Sequence, residues 1–182
     1  MIEVFPTGMA GLLHLRAKTY ADERGRFMET FNAKEFSEKT GITAPFVQDN
    51  ESRSKAGVLR GLHLQMAPHT QAKLVRVVKG AALDVCVDLR PGSATRGKHF
   101  MLRLDDLAND MLYIPEGFAH GFLALEDDTV FTYKCSAYYA PATERTILWN
   151  DPDLNIPWGI DDPVVSSKDL QGTYYRDFAA GS

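Results

Sequence analysis

Short apolar runs, each closed by turn residues, follow one another through the middle of this 182-residue chain. In residues 81–89, Leu83, Val85 and Val87 alternate with polar or small residues, the period of a strand whose successive side chains point to opposite faces. The sequence predicts strands at residues 73–79, 81–89, 98–104, 111–114, 119–125 and 129–136, the first two as a pair turning near Gly80. Many short strands at even spacing indicate an all-β fold, an antiparallel β-sandwich or jelly-roll barrel.

Only short helices are expected. Residues 32–40 predict one helix, capped by Asn32 and closed by Gly41. Prolines recur after residue 138 and predict an irregular segment over the barrel, with another short helix near Ser166 or Ser167. A chain of 20.3 kDa suits one hydrophobic core, and no linker divides it, so a single domain over residues 1–182 is predicted.

Composition narrows the classes of function. A net charge of −4, with scattered Lys and Arg, argues against nucleic-acid binding but permits a small phosphorylated ligand. Cys86 and Cys135 lie in apolar runs and are predicted as buried free thiols. Neither a signal peptide nor an apolar stretch of about 20 residues is seen, so a cytoplasmic protein without membrane contact is expected.

A histidine, an amide and an ammonium group fall on two neighbouring strands. Strict alternation in residues 60–65 puts His63 and Gln65 on one face and Arg60 on the other, and Lys73 opens the next strand. A histidine titrates near neutral pH and can act as a general base. Together these groups suit proton abstraction beside a carbonyl, whereas a purely structural histidine is the alternative.

Tyr133 shares a strand face with Phe131 and Cys135, which predicts that its ring points into the barrel. A phenol facing a histidine across a cavity could return a proton to the opposite side of a substrate carbon. The alternative is a core tyrosine with a satisfied hydroxyl.

The segment P-E-G-F-A-H at residues 115–120 has the P-x-G-x-x-H form of the second cupin motif. In metal-binding cupins its histidine joins a His-x-His set, but the matching positions here are His63 and Gln65. Too few nitrogen and carboxylate donors remain for a catalytic metal, so none is expected. His120 is then either a polar group in the pocket or a packing residue.

Taken together, these segments resemble the dTDP-4-dehydrorhamnose 3,5-epimerase family, from about Thr19 to Asp169. The matching motifs are D-x-R-G-x-F-x-E at 22–29, F-V-Q-D-N at 46–50, G-V-L-R-G-L-H-L-Q at 57–65, Q-A-K-L-V-R-V-V-K-G at 71–80, D-V-C-V-D-L-R at 84–90, I-P-E-G-F-A-H-G-F at 114–122, W-N-D-P at 149–152 and S-K-D at 167–169.

The resemblance implies a cupin-like jelly-roll homodimer, without metal or organic cofactor, that inverts C3 and C5 of dTDP-4-keto-6-deoxy-D-glucose in dTDP-L-rhamnose biosynthesis. It implies that His63 is the general base paired with Asp169, Tyr133 the general acid and Lys73 the group that stabilises the enolate. Substrate binding is expected from Arg24, Glu29, Gln48, Asn50, Arg60, His120, Glu144 and Lys168, with Tyr139 as an aromatic surface for the base.

One segment departs from the family pattern. In residues 93–100, Ala94, Arg96 and His99 stand where a proline and two aromatic residues are expected, which affects local packing or the dimer more than catalysis. Two other functions stay open: a C3-only epimerase with the same catalytic set, and a non-catalytic sugar-nucleotide-binding cupin. Gln65 disfavours a metal-dependent oxygenase.

Overall fold

Two antiparallel β-sheets face each other in this computed structural model, which describes residues 2–181. The strands are β1 (Ile2–Pro6), β2 (Leu13–Ala17), β3 (Thr19–Asp22), β4 (Gly25–Met28), β5 (Gln48–Ser54), β6 (Val58–Gln65), β7 (Lys73–Lys79), β8 (Ala81–Asp88), β9 (His99–Asp105), β10 (Asp110–Ile114), β11 (Phe118–Ala124), β12 (Thr129–Cys135), β13 (Glu144–Thr146) and β14 (Val164–Val165). The helices are α1 (Ala33–Thr40) and α2 (Tyr175–Ala180), and 3₁₀ turns cover Pro141–Thr143 and Asp169–Gln171. The predicted all-β jelly-roll class is confirmed.

The first sheet runs β1-β2-β10-β7-β12-β5 and the second β13-β6-β11-β8-β9, with β14 added parallel to β6. β3 and β4 form a separate hairpin. Phe131 from the first sheet stacks on Phe122 from the second, with ring centroids 4.1 Å apart. The main core therefore lies between the sheets and closes one end of the space in which a site can form.

Each sheet is also covered on its outer face. Phe36 of α1 packs with Tyr113 and Leu74 against the first sheet, and the chain after residue 138 places Trp158 and Leu154 against the second. The irregular covering segment predicted from the prolines is thus confirmed. The predicted cap of α1 is confirmed too: the Asn32 side chain accepts a hydrogen bond from the Glu35 amide, and Gly41 ends the helix with φ of 73°.

The predicted pairing of residues 73–79 with residues 81–89 is wrong. β7 pairs with β10 and β12, whereas β8 pairs with β11 and β9 in the other sheet. Gly80 therefore carries the chain from one sheet to the other instead of closing a hairpin. Its φ is +77°, and a Cβ there would lie 2.7 Å from Thr129 Oγ1, so the crossing requires glycine.

The departure at residues 93–100 covers the turn before β9 and the first two residues of β9, which is an edge strand as expected. Ser93 and Thr95 donate hydrogen bonds of 2.6 Å each to the Asp88 carboxylate, which also binds Arg90. Cys86 and Cys135 are buried free thiols, as predicted. No helix within residues 2–181 is long and apolar enough to cross a membrane.

Candidate active site

A bulge in β6 determines which face the first polar residues of the site occupy. His63 pairs with His120 of β11, and Arg60 pairs with Phe122, so three steps along β6 match two along β11. The extra residue turns Arg60 to the cavity that His63 lines. The prediction that Arg60 and His63 face opposite sides, which assumed strict alternation, is therefore wrong.

Gly61 makes this bulge sterically possible. A Cβ at this position would lie 2.5 Å from the Cα of Gly121 and 2.8 Å from the carbonyl oxygen of His120, and the φ of Gly61 is +126°. Both contacts are with backbone atoms, which cannot rotate away as a flexible side chain can. β6 and β11 thus approach closely enough to bring His63 and His120 side by side.

His63 is oriented by a carboxylate. Asp169, at the start of the second 3₁₀ turn, accepts a hydrogen bond from His63 Nε2 at 2.6 Å and another from the Gly61 amide at 3.3 Å. Burial works against the charge of Asp169, but the bonds from His63 and Gly61 hold its pKa below the usual value. Because Nε2 is engaged, Nδ1 is the His63 nitrogen available to take a proton from a ligand.

The opposing sheet contributes an ammonium and a phenol. Lys73 begins β7, and its Nζ lies 6.0 Å from the ring centroid of Tyr133 on β12. Burial lowers the pKa of Lys73 and raises that of Tyr133. The phenol therefore keeps its proton at neutral pH and can donate it, while the ammonium is poorly solvated and ready to stabilise an anion.

A second histidine–aspartate pair lies beside the first. His120 Nε2 is 2.7 Å from Asp84 Oδ2, and Asp84 on β8 is completely buried. Asp84 was predicted only as part of an alternating strand and not as a functional residue. The signal was present: Asp84 shares a face with Cys86, and a charged residue on a buried face needs a partner.

Glu144 ties the outer part of the site together. Its carboxylate accepts hydrogen bonds from Tyr139 Oη at 2.7 Å and from Lys168 Nζ. Burial opposes the charge of Glu144, but these two bonds lower its pKa. Burial also opposes the charge of Lys168, but the Glu144 carboxylate raises the pKa of Lys168 above its usual value. Glu144 and Lys168 are therefore both charged at neutral pH.

These groups surround two adjoining cavities of about 510 and 290 Å³, within the size range of small-molecule sites. The larger is lined by the predicted site residues Arg60, His63, Lys73, His120, Tyr133, Tyr139, Glu144, Lys168 and Asp169. The smaller adds Gln48 and Asn50, whose side chains hydrogen-bond to each other at 3.0 Å. Within one chain, the two cavities bring together most of the residues predicted to bind or transform a substrate.

Arg24 and Glu29 do not line either cavity. Arg24 lies on the β3–β4 hairpin, pairs with Asp22 at 2.5 Å and leaves 85% of its side chain exposed. Glu29 follows the hairpin and lies near Phe36 of α1. Their predicted contact with substrate stays a prediction.

Gln65 lines the smaller cavity, but its side-chain amide is engaged with backbone atoms. Its side chain donates to the carbonyl of His69 and accepts from the Ala140 amide, each at 2.7 Å. Among residues 2–181, no group of three or more His, Cys, Asp and Glu side chains is placed to hold a metal ion. Independence from metal stays a prediction.

Comparison with known proteins decides the family. Residues 6–177 match the family model described as dTDP-4-dehydrorhamnose 3,5-epimerase. This chain belongs to that family. The dTDP-4-dehydrorhamnose 3,5-epimerase of Shigella flexneri is 46% identical over 176 residues, covering 97% of each chain.

Solved structures agree with this placement. An epimerase from Legionella pneumophila, in complex with dTDP-4-keto-L-rhamnose, superposes with a TM-score of 0.93 at 44% identity, covering 97% of this chain and 94% of that one. ChmJ, a 3′-monoepimerase from Streptomyces bikiniensis in complex with dTDP-quinovose, gives a TM-score of 0.89 at 37% identity, covering 94% and 87%. The family fold therefore carries both double and single epimerisation.

Proposed function

We propose that this protein is an isomerase that inverts C3 and C5 of dTDP-4-keto-6-deoxy-D-glucose, producing dTDP-4-keto-L-rhamnose for dTDP-L-rhamnose synthesis. The observation that carries the proposal is the opposition of His63, held by Asp169, to Lys73 and Tyr133 across one cavity, in a chain of the epimerase family. A base, an acid and a cation on two facing sheets are what a two-face proton exchange requires.

His63 starts the reaction in this proposal. Its Nδ1 removes the proton from the carbon next to the 4-keto group, and Asp169 stabilises the resulting imidazolium. The electrons move onto the keto oxygen and form an enolate. Lys73 stabilises that oxygen, and the partly buried surroundings strengthen the interaction relative to water.

Tyr133 completes the inversion. It belongs to the sheet opposite His63, so a proton from its hydroxyl reaches the other face of the flat enolate. The raised pKa of Tyr133 keeps that proton in place until the enolate forms. The sequence of removal and return takes place once at C3 and once at C5. After each inversion His63 releases its proton to solvent and Tyr133 takes one up from solvent.

The remaining cavity residues hold the nucleotide and the sugar. Arg60 donates to Ser54 Oγ through Nε at 3.2 Å, which fixes its guanidinium and leaves donors for the diphosphate oxygens. Lys168 adds positive charge at the rim, and the exposed ring of Tyr139 offers a surface for the base. We assign Gln48 and Asn50 to the part of the substrate that enters the smaller cavity.

We also propose that the chain acts as a single-domain, cytoplasmic homodimer. Because Arg24 is exposed and away from its own cavity, its substrate contact requires delivery by a second copy. Mixing Arg24→Ala with His63→Asn subunits tests this, since a mixed dimer has one complete site. Recovery of up to about a quarter of wild-type activity supports the proposal, and no recovery contradicts it.

The decisive test of the reaction is incubation with dTDP-4-keto-6-deoxy-D-glucose in deuterated water. Deuterium at both C3 and C5 supports the proposed double epimerisation. Deuterium at C3 alone identifies a monoepimerase such as ChmJ, which shares this fold. Binding without exchange at either carbon identifies a sugar-nucleotide-binding protein.

A further inference from the structure

Three glutamine side chains hold one loop beside the two cavities. Residues 137–140, between β12 and the first 3₁₀ turn, form neither helix nor strand, and we call them the tyrosine loop. Both tyrosines of this loop are more than half exposed, so burial of apolar surface does little to order it. Its backbone is bonded instead to Gln48, Gln65 and Gln71. The sequence contains four glutamines, and three of them bind this loop.

Gln48 and Gln71 each make one of these bonds. Gln71 Nε2 donates to the carbonyl of Ala137 at 2.6 Å, and the amide of Tyr139 donates to Gln48 Oε1 at 2.9 Å. Gln48 begins β5, and Gln71 lies two residues before β7. The tyrosine loop is therefore fixed at two points to strands of the first sheet.

Gln65 binds the loop on both sides of Tyr139. Its Oε1 accepts from the amide of Ala140 at 2.7 Å, and its Nε2 donates to the carbonyls of Tyr138 at 3.3 Å and of His69 at 2.7 Å. The side chain is buried and belongs to β6, in the second sheet. Because one amide both donates and accepts, it satisfies three backbone groups that no other secondary structure pairs.

The ring of Tyr139 is held at its far end as well. Its hydroxyl donates to Glu144 at 2.7 Å, and Glu144 also binds Lys168. The backbone and the hydroxyl of Tyr139 are thus both fixed, while the ring lines the two cavities. A surface that is already ordered binds a ligand more tightly, because less conformational entropy is lost on binding.

We infer that Gln65 and Gln71 are positioning residues for nucleotide binding: with Gln48, they order the tyrosine loop so that the ring of Tyr139 is oriented to stack on the base. Gln65 stands where metal-binding cupins have the second histidine of their His-x-His set, and here that position holds a ligand-binding loop. The inference rests on the proposed sugar-nucleotide substrate.

Gln65→Met keeps the length of the side chain and removes its amide. The Tyr139 ring then loses its fixed orientation, so we expect the Kd of dTDP, measured by calorimetry, to rise about three- to tenfold. The KM for dTDP-4-keto-6-deoxy-D-glucose should rise by a similar factor with kcat within about twofold, because stacking on the base is equal in the ground and transition states. A merely structural defect would instead lower kcat, through loss of folded enzyme, at unchanged KM.

A double-mutant cycle separates positioning from direct contact, since Gln65 also lines the smaller cavity. Tyr139→Ala alone should raise the Kd of dTDP about fivefold to 150-fold, the range expected for stacking of one base on an aromatic ring. In the Tyr139→Ala background, Gln65→Met should change the Kd by less than about twofold, because no ring remains to be positioned. A direct contact between Gln65 and dTDP would make the two factors multiply.

Two further variants complete the design. Gln71→Met removes a single bond from a less buried side chain, so it tests the inference if Gln65→Met does not fold, and its cycle with Tyr139→Ala is measured in the same way. Thr70→Val is the control: Thr70 adjoins Gln71 but donates to Glu116 at 2.7 Å. It removes a neighbouring polar bond and should leave the Kd of dTDP within about twofold.

Weaker dTDP binding in the glutamine variants, absent in the Tyr139→Ala background, supports the inference. It is overturned if neither glutamine variant changes the Kd, if the factors multiply in the cycle, if Thr70→Val weakens binding equally, or if Tyr139→Ala binds dTDP as the wild type does. The binding measurements require no turnover, and deuterium exchange by the wild-type enzyme tests the epimerisation separately. Failure of the inference and failure of the proposed reaction are therefore distinguishable.

Discussion

Asp169 Oδ1 lies 2.6 Å from His63 Nε2, although 106 residues separate the two in the sequence. The contact forms because the covering C-terminal segment adds β14 beside β6 and then turns Asp169 toward the bulge at Gly61. The carboxylate is nearly buried, whereas the imidazole is partly exposed to the cavity. A rigid, buried anion thus orients the base and leaves its other nitrogen free for substrate.

Replacing Asp169 with Asn should keep the geometry but favour the wrong histidine tautomer. We expect kcat to fall by about 10²–10⁴-fold with a smaller change in KM.

The wild-type chain should also lose stability in acid. Folding lowers the pKa of Asp169, so the contribution of this carboxylate to stability is present above its unfolded pKa and disappears as the pH falls through its folded pKa.

Melting temperatures measured from pH 7 to pH 2 check this predicted loss of stability in acid. The Asp169→Asn chain should show a weaker dependence on pH across the acid range than the wild type. Equal slopes for the two chains would contradict the role of Asp169 as a charge stabilised by folding.

Replacing His63 with Asn should remove deuterium exchange at both C3 and C5. Loss of a general base costs about 10²–10⁴ in rate. Binding of dTDP should be almost unchanged, because it depends on Arg60, Lys168 and their neighbours. His99→Asn, on the edge strand β9, is the control and should behave as wild type. Wild-type turnover in the His63 variant would rule out this base.

Much of the fold was predictable from the sequence because the strands after residue 73 carry clear apolar alternation. The strand pairing was less predictable. A glycine between two strands is compatible with both a hairpin and a crossing, and only the packing of Gly80 against Thr129 distinguishes them. β5, with the polar sequence Q-D-N-E-S-R-S, was not predicted as a strand because one of its faces lines the cavity and the other is exposed.

The site was partly predictable for a similar reason. His63, Lys73 and Tyr133 stand out as polar groups on apolar strands. The position of Arg60 was wrongly predicted because a bulge changes which face a residue occupies. Gly61 inside the strand is the local signal of that bulge, and the assumption of strict alternation left it out. Asp169 could be paired with His63 only through family resemblance, since a contact over such a sequence distance depends on the complete fold.

Activity should survive exhaustive chelation. Gln65 stands where the second histidine of the His-x-His set would be, and its side chain is bonded to backbone atoms, so the donor set of a metal-binding cupin is incomplete. Turnover is measured before and after dialysis against chelator, with metal content determined on the same samples. A requirement for stoichiometric zinc, iron or manganese would contradict this prediction.

Gly61→Ala should destabilise the protein more than Gly25→Ala does. The two glycines have similar φ values, +126° and +124°, but a Cβ at Gly25 meets nothing within 4 Å, whereas one at Gly61 meets Gly121 at 2.5 Å. Because both variants carry similar backbone strain, the difference between their losses of unfolding free energy measures the steric overlap at Gly61. We expect this difference to be about 1–3 kcal/mol. Denaturant unfolding of both variants measures it. Equal losses would mean that β6 and β11 can separate without cost.

Tyr133→Phe separates proton removal from inversion. The variant keeps the ring that packs beside Phe131, so it should fold and bind dTDP as the wild type does. His63 and Lys73 remain to form the enolate, and substrate protons should still exchange with solvent. Net inversion should fall by about 10²–10⁴-fold, much further than exchange, because a proton returned from the His63 side restores the starting configuration.

Both quantities are measured on one sample, by NMR detection of deuterium in the substrate and of the inverted product. Phe131→Leu is the packing control, since it disturbs the same core without removing a proton donor. We expect it to lower stability and to leave the ratio of exchange to inversion unchanged. If Tyr133→Phe lowers exchange and inversion by the same factor, or changes neither, the hydroxyl of Tyr133 is not the acid on the opposite face.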